Sequence, residues 1–294
     1  MQRRSGYTSR FLLRHKLLFG VLGASGLLLL GVVVGIAILL SGALSTAATT
    51  QHAAFTHWLL DAGLRYSLRA NADEIEPPAL SDPALIRRGE ACFRTHCVHC
   101  HGAPAVARAP HGLGMMPIPN DLTQASREWP AGWLYYVTAK GVRMTGMPAW
   151  EYRLSDADLW STVAFLRTLP HLTRPELLRL ESLPSSQCVS DADAITGSSA
   201  DDDPHERGQI VLRQYGCHAC HRIDGVVGPD AVVGPPLVDW PRRRYIAGTI
   251  PNTRENLARW IVDPTGVSPG TLMPDLGVTE PHAREMAAFL FSQD

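Results

Sequence analysis

Between Leu17 and Leu44 the chain carries no charged side chain, and residues 1–44 contain neither Asp nor Glu. A run of about 28 uncharged residues, rich in Leu, Gly, Val, Ile and Ala, is too long for the core of a cleaved secretory signal. It is long enough for a tilted membrane-spanning helix. Arg3, Arg4, Arg10, Arg14 and Lys16 precede it, and no Lys or Arg follows until Arg65. That asymmetry keeps the N-terminus cytoplasmic and exports the body. Ala43, Ala47 and Ala48 leave a cleavage site open behind the span, but an uncleaved single-pass anchor is the expectation. The body lacks a basic excess. Its Lys and Arg number 22, the 27 of the chain less those five, against all 28 acids, a net −6 over residues 45–294. No basic stripe is visible in it, which excludes nucleic acid as a partner. Six cysteines are too few for a disulfide framework. No strand run stands out, so the body reads as mainly α, and 294 residues suggest about two domains.

What the chain does contain is one pentad written twice: Cys97-Val98-His99-Cys100-His101 and Cys217-His218-Ala219-Cys220-His221. Cys-x-x-Cys-His is the c-type haem attachment signature. Two thiols at this spacing add across the vinyl groups of one porphyrin, and the adjoining imidazole reaches the iron. A zinc site needs a second ligand pair close by, and neither copy has a clear one; a redox dithiol does not require the histidine. Two covalently bound haem c groups are the expectation, with Cys97, Cys100, His101, Cys217, Cys220 and His221 binding them. Haem c is attached outside the cytoplasm, in agreement with the exported topology.

The chain then divides as follows: a basic N-terminus 1–16, a transmembrane anchor 17–44, a juxtamembrane helix and linker 45–80, a first domain 81–170, a linker 171–204 and a second domain 205–294. Phe55, Trp58, Leu59, Ala62 and Tyr66 share a helical face, destined for the membrane interface, a partner helix or the first domain. Ser81-Asp82-Pro83 starts a helix on which Gly89 and Phe93 precede Cys97 along one face. Its partner is a late helix from Ser155 to Leu169, which the missing Cβ of Gly89 lets approach closely. Loops rich in Gly and Pro cover 102–120 and 141–149. A short helix is expected within 171–183, and Ser185 to Asp203 has no apolar period. Arg207-Gly208 before the second pentad echoes Arg88-Gly89 before the first, with helices at 254–262 and 280–292 to follow.

A six-coordinate iron needs a ligand opposite the histidine, and a thioether there favours electron transfer. Met273, in Pro269-Gly270-Thr271-Leu272-Met273-Pro274, is the candidate opposite His221, since Met286 belongs to a core helix. Met147, in Thr145-Gly146-Met147-Pro148-Ala149-Trp150, is the candidate opposite His101, with Met144 as the alternative. Met115 and Met116 lie too near the pentad along the chain to reach around.

These residues resemble a known family. The second domain resembles a class I c-type cytochrome. There, Gly234-Pro235-Pro236-Leu237 matches the loop whose proline carbonyl accepts the Nδ1 hydrogen of the haem histidine. The run from Asp263-Pro264 to Met273 matches the family's spacing from helix end to methionine ligand. The stretch Glu255 to Met273 is similar to the cytochrome domain fused to subunit II of some haem–copper oxidases, although this chain lacks that subunit's copper domain. The first domain is similar to bacterial respiratory cytochrome c domains, with Met-Pro-Ala-Trp as the ligand loop. Which carbonyl of Pro117-Ile118-Pro119-Asn120-Asp121-Leu122 holds His101 stays open. An anchor plus two haem domains also resembles the dihaem subunit of another oxidase class.

The resemblance implies an electron carrier with no catalytic residues, working between respiratory donor and acceptor proteins such as a terminal oxidase, on the periplasmic side of the inner membrane. A dihaem peroxidase, the cytochrome subunit of a periplasmic dehydrogenase and a gas or redox sensor are the competing classes. Arg242, Arg243 and Arg244, with Trp240 and Tyr245, are candidates for haem propionate contacts or a solvated basic cluster. Trp260 reads as a neighbour of the Met273 sulfur or as core. His96, His99, His111, His205, His218 and His282 read as surface or loop histidines. Cys92 and Cys188 are either a disulfide or free thiols.

Overall fold

The computed structural model describes residues 5–104, 106–172, 175–176, 188, 203–229, 231 and 233–293. Most of the linker expected over 171–204, its short helix included, lies outside them. The chain divides into two compact units, 1–58 and 59–294.

The first unit is dominated by helix α1, Ser5–Leu40, whose segment Leu18–Leu40 has a mean hydropathy of 2.6. Its 23 residues extend about 35 Å at 1.5 Å each, enough to cross a bilayer's hydrocarbon core. The helix ends four residues before the expected limit at Leu44, where Gly42 turns with φ of 71°. Helix α2, Ala54–Ala72, begins in this unit.

In the second unit, α2 packs with a face other than the aromatic one singled out from the sequence. Leu64, Leu68 and Ala72 meet Trp129, Trp133, Leu134, Trp160 and Val163, while Leu59 and Tyr66 stay exposed. Asp73 anchors the end of this helix by accepting the Trp133 indole N–H at 2.6 Å.

Two helix pairs built on one plan then carry the unit. Helix α3, Pro83–Cys92, is capped by Asp82, whose side chain accepts the Ala84 N–H at 2.8 Å, with proline at its first position. It passes through a π-helical turn, Phe93–Cys97, into α4, Val98–His101. Then come α5 (Pro110–Leu113), α6 (Leu122–Glu128), α7 (Ala131–Lys140) and α8 (Asp156–Thr168). A Cβ on Gly89 of α3 would overlap the backbone carbonyl of Ser161 on α8, so only glycine permits this crossing. The neighbouring Arg88 donates to the buried Asp158 of α8 at 2.6 Å.

The second pair repeats the device. Helix α9, Pro204–Gln214, has Asp203 as its cap and proline at its first position. It crosses α12, Glu280–Phe291, at Gly208, whose Cβ would overlap the carbonyl of Glu285. The neighbouring Arg207 donates to that Glu285 side chain at 2.7 Å. Helices α10, Arg254–Val262, and α11, Pro264–Val267, complete this half with a hairpin of β1, Tyr245–Ile246, against β2, Ile250–Pro251. The sequence reading saw no strand; a two-residue pair is too short to show alternation. Val211, Leu257, Trp260, Met286 and Phe289 centre the core of this half, and Phe93, Phe165, Leu166 and Leu169 one core of the other.

Candidate functional site

The two pentads reach their positions by different routes. The first sits on the continuous path from α3 through the π turn to α4. At the second, α9 stops at Gln214, Gly216 takes a left-handed φ of 73°, and a 3-10 turn, Cys217–Ala219, follows. The single extra residue between Gly208 and Cys217 is absorbed in this break. Burial pushes the Cys97 thiol up to about 12 and the Cys217 thiol up to about 11.

Each imidazole is held at Nδ1 by a backbone carbonyl, which leaves Nε2 as the nitrogen that could ligate a metal. His221 Nδ1 lies 2.7 Å from the Pro235 carbonyl and His101 Nδ1 lies 2.9 Å from that of Asn120. The first matches the expectation, and the second resolves the question left open in residues 117–122. Such a bond fixes the ring and raises its basicity. Gly234 lies so close that a Cβ would sit 2.6 Å from the His221 Nδ1. Its N–H donates to the Cys220 carbonyl at 2.8 Å, pinning the loop to the pentad. Burial lowers the pKa of His101, and Arg108 lowers it further against the pull of the Asn120 carbonyl, a direction that favours the neutral ring.

An arginine braces each carbonyl loop, a role the sequence reading missed. Arg108 donates from Nε to the His101 carbonyl at 3.2 Å and from Nη2 to the Pro119 carbonyl at 2.9 Å. Arg243 donates to the carbonyls of Pro236 and Val238, with its guanidinium 4.6 Å from the Trp240 ring centroid. It is therefore not part of a solvated cluster. Arg242 is, with only a 3.8 Å approach to Asp239.

The methionine loops share a feature visible as Thr-x-Met-Pro in both. The Met147 N–H donates to Thr145 Oγ1 and the Met273 N–H to Thr271 Oγ1, each at 3.1 Å. Met273 and Cys217 pack against the same core, which contains the buried Trp260. The Met147 loop is pinned to α7 by Trp150 N–H to the Thr138 carbonyl and Glu151 N–H to the Ala139 carbonyl, both 3.2 Å. Its Trp150 ring lies 4.9 Å from that of His96, which adjoins Cys97. Met147 is half-buried, whereas Met144 is 92% exposed. The Met115 sulfur would lie 2.9 Å from a Cβ on Gly146, so folding brings Met115 to this loop despite its position early in the chain.

Two other readings need correction. His282 is 1% exposed, not a surface residue, because α12 turns it inward. His96 is half-buried against Trp150. Cys92 and Cys188 are joined in a disulfide.

Haem c fits the donor set tested on these observations. Each pentad offers two free thiols, buried or half-buried, and each imidazole keeps Nε2 clear of the Nδ1 bond. Among the described residues the buried Trp240 indole N–H has no acceptor, so a propionate oxygen could take its hydrogen bond.

Residues 84–166 match the family model described as cytochrome C oxidase, cbb3-type, subunit III. The chain contains a cytochrome c domain there, and such a domain implies covalently bound haem c. The chain is also similar to cytochrome c oxidase subunit 2 of Alkalihalophilus pseudofirmus, at 33% identity over 85 residues. That alignment spans 27% of this chain and 24% of the relative. No solved structure matches.

Proposed function

We propose that the chain is a membrane-anchored dihaem cytochrome c that passes single electrons in a respiratory chain, to or within a terminal haem–copper oxidase complex. Cys97, Cys100, Cys217 and Cys220 hold the two haem c groups; His101 and His221 are the proximal ligands, Met147 and Met273 the distal ones. When bound, each haem would supply a one-electron iron couple, whose potential a methionine thioether ligand would raise. The chain's own residues fix that ligation. Backbone carbonyls aim Nε2, arginines hold the carbonyl loops, and threonines set the methionine turns. The observation that carries the reading is the repetition of this arrangement: pentad, carbonyl-held imidazole and Thr-x-Met-Pro loop occur in both halves. An anchor at 17–44 retains the body, as domains 81–170 and 205–294, on the periplasmic face of the inner membrane. The oxidase similarities support an oxidase as partner.

Near-infrared absorption of the ferric protein tests the ligation. Both irons should contribute a methionine-to-iron charge-transfer band. Met147→Ala should remove one contribution and lower that site's potential, and Met273→Ala the other. No change in Met147→Ala assigns the ligand to Met144 or Met115. Five-coordinate high-spin iron with peroxide turnover would make the protein a peroxidase instead. Co-purification from detergent tests the partner: an oxidase supports the reading, and a dehydrogenase alone replaces it.

A further inference from the structure

Four residues beyond the Met147 loop's Pro148, the chain crosses to the second group of helices. Tyr152 packs against their apolar core, its ring centroid 6.2 Å from that of His282. Arg153 donates from Nη2 to the Gln214 carbonyl at 2.8 Å and from Nη1 to its side-chain oxygen at 3.4 Å. The same guanidinium lies 5.3 Å from the Tyr215 ring centroid. The Tyr215 hydroxyl in turn pairs with His282 Nδ1 at 3.0 Å.

These contacts lie between the two pentads. On one side, the Trp150 carbonyl accepts the Arg153 N–H at 2.8 Å, and the Trp150 ring packs on His96, next to Cys97. On the other, Gly216 alone separates Tyr215 from Cys217. Small contacts between domains ordinarily permit motion. A planar guanidinium fixed by a backbone carbonyl, a side-chain amide and a ring face is oriented in three directions at once, which a lone apolar contact is not.

We propose that Tyr152 and Arg153 form an internal clasp whose partner is the Gln214–Tyr215–His282 surface of the same chain, and that Arg153 is the positioning residue holding the two pentads at one separation and orientation. The clasp goes beyond the electron-carrier reading, since two independently moving domains would also carry electrons.

Spin labels on Glu128→Cys and Glu255→Cys, both exposed and one in each half, report the geometry in the full chain in lipid nanodiscs. Low-spin ferrous protein avoids interference from the iron. Pulsed electron paramagnetic resonance should give one narrow distance distribution. Tyr152→Ala with Arg153→Ala should broaden it at least twofold. A broad distribution in the unsubstituted chain overturns the clasp, as does an unchanged width in the double variant. Should that variant misfold, Arg153→Lys keeps the charge without the planar fork; broadening then supports the clasp and an unchanged width overturns it.

Discussion

The first pentad is reached along an unbroken helical path, the second across a left-handed glycine, yet both histidines finish with Nδ1 on a backbone carbonyl. The carbonyl comes from Asn120 in one half and Pro235 in the other, and the bracing arginine from unrelated positions, 108 and 243. Routes and acceptor identities differ, while the ring nitrogen held at each site is the same. The common element is the aim of Nε2, and the surrounding chain is free to vary as long as that aim is kept. The halves also differ in support. The first is stapled by Cys92–Cys188 and backed by α2, whereas the second carries the buried His282.

The disulfide gives the largest contrast. It closes a loop with a sequence separation of 96, and in the chain-entropy model a loop of about 100 residues contributes roughly 4–5 kcal/mol. Cys92→Ala with Cys188→Ala should lower the stability of the first half by about that amount and leave the second half's transition in place. Thermal melts with and without reductant check this; equal effects in both halves would erase the contrast.

His282 gives the converse. Burial, then the charges of Arg207 and Arg153, lower its pKa to about 4. Between pH 6.5 and 4 the unfolded chain therefore binds a proton that the folded chain does not. Stability is undiminished above about pH 6.5 and falls as the pH drops toward 4, by about 3 kcal/mol in all. Denaturant titrations across that range should show the slope for the second half, and His282→Gln should flatten it. A slope unchanged in the variant would assign it to other groups.

The helix crossings should not distinguish the halves. Gly89→Ala and Gly208→Ala each force a Cβ onto the facing backbone, at about 1–3 kcal/mol of overpacking. Matching losses in the two melts sharpen the common plan, and a loss at one site alone breaks it.

Much of this plan was legible in the sequence because it depends on residues a short distance apart. The pentads, Asp-Pro caps, Arg-Gly pairs and apolar run are local, and the elements they imply are where the spacing puts them. The loop partner of His221 was legible through resemblance, because Gly234-Pro235-Pro236-Leu237 is regular. The partner of His101 was not, because nothing in residues 117–122 ranks one carbonyl above another. The arginine braces and the burial of His282 depend on which loop folds onto which helix, information no local period contains. The Thr-x-Met-Pro repeat was readable in advance and went unread, although it marks both methionine turns.

Covalent cofactor stoichiometry tests the central claim most directly. Intact and peptide mass analysis of the exported, membrane-extracted chain should find two haem groups, one on Cys97 and Cys100 and one on Cys217 and Cys220. A single haem, or none on either cysteine pair, would contradict the account.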